Sequence, residues 1–187
     1  MNPSLRLRAR LIRAAKPYWT YAPSSGEGAA RHGGRFNPVG MPALYASFGF
    51  ETAAREVRFS VTADPYTFYF LDVDCRPIAD LTSASVRDAL GVAFADLACP
   101  NWESEMHKGI EPASHALARR LIALGYAGII VPSFARGAQD GDRNLVLWRW
   151  EDGTGRSAAG DAASTVRVLK RASLPADLSS WPDRARE

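Results

Sequence analysis

An α+β fold is what this chain of 187 residues predicts, on three observations. Runs rich in aromatic and β-branched residues, such as YTFYFLDV at 66–73, stand beside helix-period runs such as 112–124. The two kinds are mixed without regular βαβ alternation, which disfavours a doubly wound parallel sheet. A composition of 47% hydrophobic and 23% charged residues is that of an ordinary soluble globular chain, long enough for one domain with a full core. We therefore expect a single domain over 1–187, its core at 5–150 and a loop and tail at 151–187.

In chain order, residues 5–15 alternate Arg with Leu and Ile and form the first structured element, a surface strand or helix. Residues 23–34 hold two serines and four glycines and read as loop. A short strand follows at 44–47. Phe50, Ala53, Ala54 and Val57 fall at i, i+3, i+4 and i+7, so 50–59 is a helix with Glu56 at the border of its buried face and Arg55 toward solvent. After the strand at 66–73, residues 83–97 suggest one or two short helices, and Pro100-Asn101-Trp102 breaks the chain. The helix at 112–124 carries Pro112 in its first turn, Leu117, Leu121 and Leu124 on one face, Arg119 and Arg120 outward, and Gly125 as its cap. A buried strand at 128–131 stops at Pro132-Ser133, a polar loop spans 136–143, and a strand occupies 144–150. Residues 151–164 have the composition of a loop, 165–169 could add a strand, and 174–181 form a tail pinned by Trp181.

Bulk properties narrow the function classes. A net charge of +3 with no Lys/Arg block interleaved with aromatics gives little support to nucleic-acid binding; an anionic small molecule suits it equally well. Cys75 and Cys99 form no CxxC pair and read as two small buried or half-buried thiols of a reducing cytosol. No apolar run nears the roughly 18 residues that span a bilayer, and the basic N-terminus lacks the apolar core of a secretory signal. His32, His107 and His115 are scattered, with no HExxH or Ser/His/Asp pattern, so metal and serine-hydrolase chemistry find little support.

The densest cluster of special residues is 31–57, RHGGRFNPVGMPALYASFGFETAAREV. Glycines beside Arg35 let backbone approach a ligand, and a guanidinium grips phosphate bidentately; the bland alternative is a tight turn whose Arg meets a surface carboxylate. Tyr45 faces away from Leu44 and Ala46 on its strand and is either an ordinary strand Tyr or a ring that stacks on a flat heterocycle. Glu56 is either a solvated helix Glu or a working carboxylate, and Ser133, at a strand end, either caps a turn or lines a site.

Taken in order, these residues resemble the RES-domain family, named for its Arg, Glu and Ser. The resemblance rests on GGRFNPVGMPALYAS, FETAAREV, ALARRLIALGYAGIIVPS and NLVLW, from about Arg13 to Trp150, with Phe36 where the family often has Trp. It implies a bacterial toxin of a type II toxin–antitoxin system in the cytoplasm. It further implies an ADP-ribosyltransferase-like fold, NAD⁺ as substrate, cleavage of the nicotinamide–ribose bond, and a hetero-oligomer with an Xre-type antitoxin that blocks the pocket. On that basis Arg35 holds the pyrophosphate, Tyr45 stacks on the nicotinamide or its ribose, Glu56 stabilises positive charge at C1′, and Ser133 positions the nicotinamide ribose or amide; Arg13, Asn37, Ser47 and Asn144 are second-rank ligand contacts. Water, phosphate or a protein side chain all remain open as acceptor. An inert RES scaffold that only binds a partner is the alternative from another class, and nucleic-acid binding through the Arg-rich N-terminus ranks last.

Overall fold

The computed structural model describes residues 3–17, 21–58, 66–151 and 164–169. Its elements run β1 (Leu5–Ala15), α1 (Glu27–His32), β2 (Leu44–Ser47), α2 (Phe50–Arg58), β3 (Thr67–Asp80), α3 (Ala84–Leu90), α4 (Phe94–Ala98), α5 (Trp102–His107), α6 (Ala113–Ala123), β4 (Gly128–Pro132), β5 (Arg143–Leu147) and β6 (Thr165–Val168). The sheet order is β1-β2-β5-β4-β3-β6, and β1 also pairs with β3, so the first five strands close into a ring with β6 outside it. Among the described residues every pairing between two of these strands is antiparallel except β3–β4, where Ile78 lies opposite Gly128. A parallel pair needs a long crossover; here the helices α3 to α6 supply it.

Period-two patterning explains the long strands. On β3, Tyr69, Leu71, Val73 and Cys75 are buried while Phe70, Asp72 and Arg76 are exposed. On β1, Arg6, Arg8 and Arg10 point outward, and the register sets Arg8 opposite Asp74 and Arg10 opposite Asp72. Arg6 and Arg8 donate to Asp74 at 2.6 and 3.1 Å, an exposed charge ladder of the kind that stabilises cross-strand neighbours modestly.

Two cores follow from the same alternation. Leu145 and Leu147 of β5 join Leu11, Leu44, Leu71 and Ile130 inside the ring. Val146 and Trp148 face the other way, with Ile129 and Val131, onto Leu117, Ala118 and Leu121 of α6. Gly128 is required by a close approach: a Cβ there would lie 2.3 Å from the Val146 carbonyl oxygen. Both cysteines are free and buried, as expected, and burial pushes the Cys75 thiol up to about 12, which leaves it inert.

Several local expectations change. The glycine-rich 23–34 segment contains α1, and α5 starts immediately after the Pro100 break. Leu124 and Phe50 are exposed rather than buried; Phe50 instead packs on Phe68 with ring centroids 4.6 Å apart. Pro112 is the N-cap of α6, and Gly125 follows the cap residue Leu124 with φ 93°. β5 ends at Leu147, short of Trp150. The tail at 174–181 and most of the 151–164 loop lie outside the described residues. Among the described residues no helix is long and apolar enough to cross a membrane.

Gly128→Ala is expected to force β4 and β5 apart at the cost of about 1–3 kcal/mol, read as a lower Tm; an unchanged Tm would contradict the close approach. Asp74 is held down to about 2 by its bonds to Arg6 and Arg8. A depressed carboxyl contributes stability above its unfolded value of about 3.9 that is lost as pH falls toward 2. Asp74→Asn should therefore shrink the acid dependence of stability between those values in denaturant titrations, and leave the neutral-to-alkaline profile shape unchanged.

Candidate active site

The glycine pair ends α1 and opens a tight turn. Gly34 and Asn37 exchange backbone hydrogen bonds at 2.9 and 3.2 Å, leaving Arg35 and Phe36 at the corner. Phe36 anchors the turn in the second core, and Trp148 Nε1 donates to its carbonyl at 2.9 Å. Asn37, 0% exposed, donates through Nδ2 to the carbonyls of Ala29, Pro38 and Met41, while its Oδ1 accepts from the Tyr45 hydroxyl at 2.7 Å. That hydroxyl in turn accepts from Phe36 N at 3.1 Å. Gly34 is obligatory because a Cβ there would sit 2.6 Å from the Tyr45 oxygen. Burial raises the Tyr45 hydroxyl above its ordinary value, so it stays protonated and keeps donating to Asn37. Asn37 thus sits in the turn's interior with its amide already engaged, while the Tyr45 ring lines the cleft.

Arg35 leans over Phe134, with its guanidinium carbon 4.9 Å from the ring centroid, and stands 6.0 Å from the Trp102 centroid. Its Nη1 donates to the carbonyls of Ala98 and Cys99 at the end of α4, where the helix dipole is negative. Burial lowers the guanidinium from its ordinary value, yet it remains a cation at neutral pH.

Glu56 is exposed rather than half-buried; hydrogen bonds, not packing, hold it. Its Oε1 accepts from Ser133 Oγ and from Asn144 Nδ2, both at 2.6 Å. Ser47 Oγ donates to Asn144 Oδ1 at 2.7 Å, so a relay runs Ser47–Asn144–Glu56–Ser133 across β2, β5, α2 and the end of β4. Among the described residues Oε2 receives no hydrogen bond. Arg55, expected in solvent, turns to Asp142 at 2.7 Å. Thr52 Oγ1 donates to the other Asp142 oxygen at 2.7 Å, and Ser133 N to the Asp142 carbonyl at 2.8 Å. One aspartate therefore ties α2 to the loop that carries Ser133.

These side chains surround a cleft of about 460 Å³ whose walls include Arg13, Lys16, His32, Arg35, Tyr45, Glu56, Trp102, Phe134 and Asn144. Arg13, on β1, donates to the Ser25 carbonyl at 2.8 Å. Of the eight residues singled out from sequence, Arg13, Arg35, Tyr45, Glu56 and Asn144 line this cleft; Ser47 and Ser133 back it through the relay; Asn37 builds the turn behind it. Trp102, Phe134, Asp142 and His115, whose Nε2 meets the Gly34 carbonyl at 2.8 Å, are contributors the sequence did not single out. A His among alanines and a lone loop Asp carry no local signal of such roles. Among the described residues no three His, Cys, Asp or Glu side chains converge to hold a metal ion.

Comparison with known proteins identifies relatives of this chain. NAD(+) phosphorylase MbcT of Mycobacterium tuberculosis and of Mycobacterium bovis are each 29% identical over 138 residues, which is 65% of this chain and 72% of theirs. The crystal structure of the M. tuberculosis MbcT–MbcA toxin–antitoxin complex contains a chain of similar fold, with TM-score 0.59 and 25% identity over 77% of this chain and 75% of that one. The RES domain matches residues 10–167, from the middle of β1 to β6, a span that holds every side chain of the cleft. The chain belongs to the RES-domain family.

Proposed function

We propose that this protein is the toxin of a toxin–antitoxin pair and degrades NAD⁺ by cleaving its nicotinamide–ribose bond. The observation that carries the reading is the convergence of Arg35, Tyr45 and Glu56 on one cleft, with Glu56 locked by Ser133 and Asn144. Loss of nicotinamide builds positive charge on the ribose at C1′, and a fixed carboxylate stabilises that charge without reorganising. With Oε1 committed to Ser133 and Asn144, Oε2 is the oxygen left for the ribose. Arg35 supplies the cation for the pyrophosphate, and the Tyr45 ring is a flat apolar wall for the nicotinamide or its ribose. Ser133, whose hydroxyl is committed to Glu56, acts on the ligand through that carboxylate.

The ring of strands with flanking helices supports an ADP-ribosyltransferase-like fold that works as one RES domain. Phosphate is the acceptor we favour, since the MbcT relatives are named NAD(+) phosphorylases. The M. tuberculosis relative is found with its antitoxin MbcA. An Xre-type antitoxin covering the cleft is accordingly the partner we assign here, and the cytoplasm, where NAD⁺ is abundant, the place of action.

Incubation of the pure protein with NAD⁺ should release nicotinamide, faster when phosphate is present. Glu56→Gln should slow release roughly 10²–10³-fold, the range for losing one preorganised electrostatic group. Absence of release together with transfer of labelled ADP-ribose to a protein would replace this reading by ADP-ribosyltransfer, and equal toxicity of wild type and Glu56→Ala in cells would favour an inert scaffold.

A further inference from the structure

A second, smaller cleft of about 210 Å³ adjoins the first. The two share Arg13, Tyr45, Glu56 and Asn144, so the reacting end of the site stands on a common wall. Among the described residues the larger cleft has Lys16 and Arg35 besides Arg13, whereas Arg13 is the single Lys or Arg lining the smaller.

Arg13 is an unusual cation. It is half-buried on β1, and burial pushes it down to about 10. Its one hydrogen bond in the described structure goes to the Ser25 carbonyl, and no described carboxylate pairs with it. A guanidinium has five N–H donors, and a buried charge normally finds a counter-charge. Tyr69 lies directly opposite Arg13 in the β1–β3 register, and its buried hydroxyl has no partner among the described residues. The smaller cleft therefore offers a cation with unspent donors to an anionic ligand. Glu56 on the same wall would repel a dianion, and Arg13 is the charge that offsets it.

Building on the reading of the site as one that cleaves NAD⁺, we propose that the smaller cleft is the acceptor subsite and that Arg13 holds inorganic phosphate there, separate from the pyrophosphate held at Arg35. A phosphate oxygen forms the new bond to C1′ as the C1′–N bond breaks. The bonding pair leaves with nicotinamide, neutralising its ring nitrogen. Hydrogen phosphate at −2 and a pyridinium at +1 give neutral nicotinamide and a ribosyl phosphate monoester at −1, so no external acid or oxidant is needed.

The test is initial-rate kinetics of nicotinamide release by the full chain, with phosphate and NAD⁺ varied in turn. Arg13→Lys, which keeps the charge but loses the fork, should raise KM for phosphate by roughly tenfold or more while KM for NAD⁺ changes little. Arg13→Gln should shift the product from the phosphate ester toward free ADP-ribose. A rise confined to KM for NAD⁺ would overturn the assignment and give Arg13 to the pyrophosphate. Wild-type protein supplies a readout independent of variant folding: sulfate, an inert analogue, should inhibit competitively against phosphate and not against NAD⁺, and the reverse pattern would overturn the proposal. Wild-type release that is indifferent to phosphate would instead refute phosphate as acceptor, a failure visible without any variant.

Discussion

A single carboxylate oxygen, Glu56 Oε1, is where α2 and the ends of β4 and β5 meet, through two bonds of 2.6 Å. The chain separations are 77 and 88 residues, so the contact exists only after the ring of strands has closed. It depends on β2 and β5 being antiparallel neighbours, which puts Ser47 beside Asn144 and orients the Asn amide. It depends equally on Asp142, which grips Thr52 and Arg55 one turn and one residue before Glu56 and fixes Ser133 through its own carbonyl. Hydrogen bonds to a charged group are among the stronger polar contacts, at about 1.5–3 kcal/mol each. An exposed glutamate thereby becomes a fixed one.

The glycine-rich turn meets this carboxylate from the other side and is organised from its interior outward. Asn37 satisfies three carbonyls with one amide nitrogen, and Tyr45 closes the circuit by joining Asn37 to Phe36 N. Trp148 and His115 bind two of its carbonyls, those of Phe36 and Gly34. With the backbone so constrained, Arg35 is the residue left projecting into the cleft. Its docking on the Ala98 and Cys99 carbonyls makes the end of α4 part of the site, and Trp102 brings in α5, although neither helix carries a charged cleft residue.

Much of this was legible in the sequence for a simple reason: Arg35, Tyr45 and Glu56 lie within 22 residues, each at a join between elements whose type is set by local patterning. Alternation in 66–73 and the apolar run at 128–131 mark strands, and the 3.6-residue period marks α2 and α6. What patterning does not carry is long-range pairing. Nothing local distinguishes Asp142 from other loop acids, so Arg55 reads as solvent-facing until the fold brings Asp142 to it. Asn37 shows the converse: the family resemblance implied a second-rank ligand contact, whereas its amide is engaged by the turn itself. Phe50 misled because helix period alone does not tell a core face from a face packed on a neighbouring strand residue, Phe68.

Whether Ser133 works through Glu56 or on the ligand directly is decided by a double-mutant cycle on nicotinamide release. Ser133→Ala, Glu56→Gln and the pair would be compared at saturating NAD⁺. If Ser133 acts by holding the carboxylate, its loss should slow the wild type substantially yet add less than about threefold to Glu56→Gln, the non-additivity of residues that act as one unit. Losses that multiply in the double variant would mean that Ser133 contacts NAD⁺ independently and would contradict the relay.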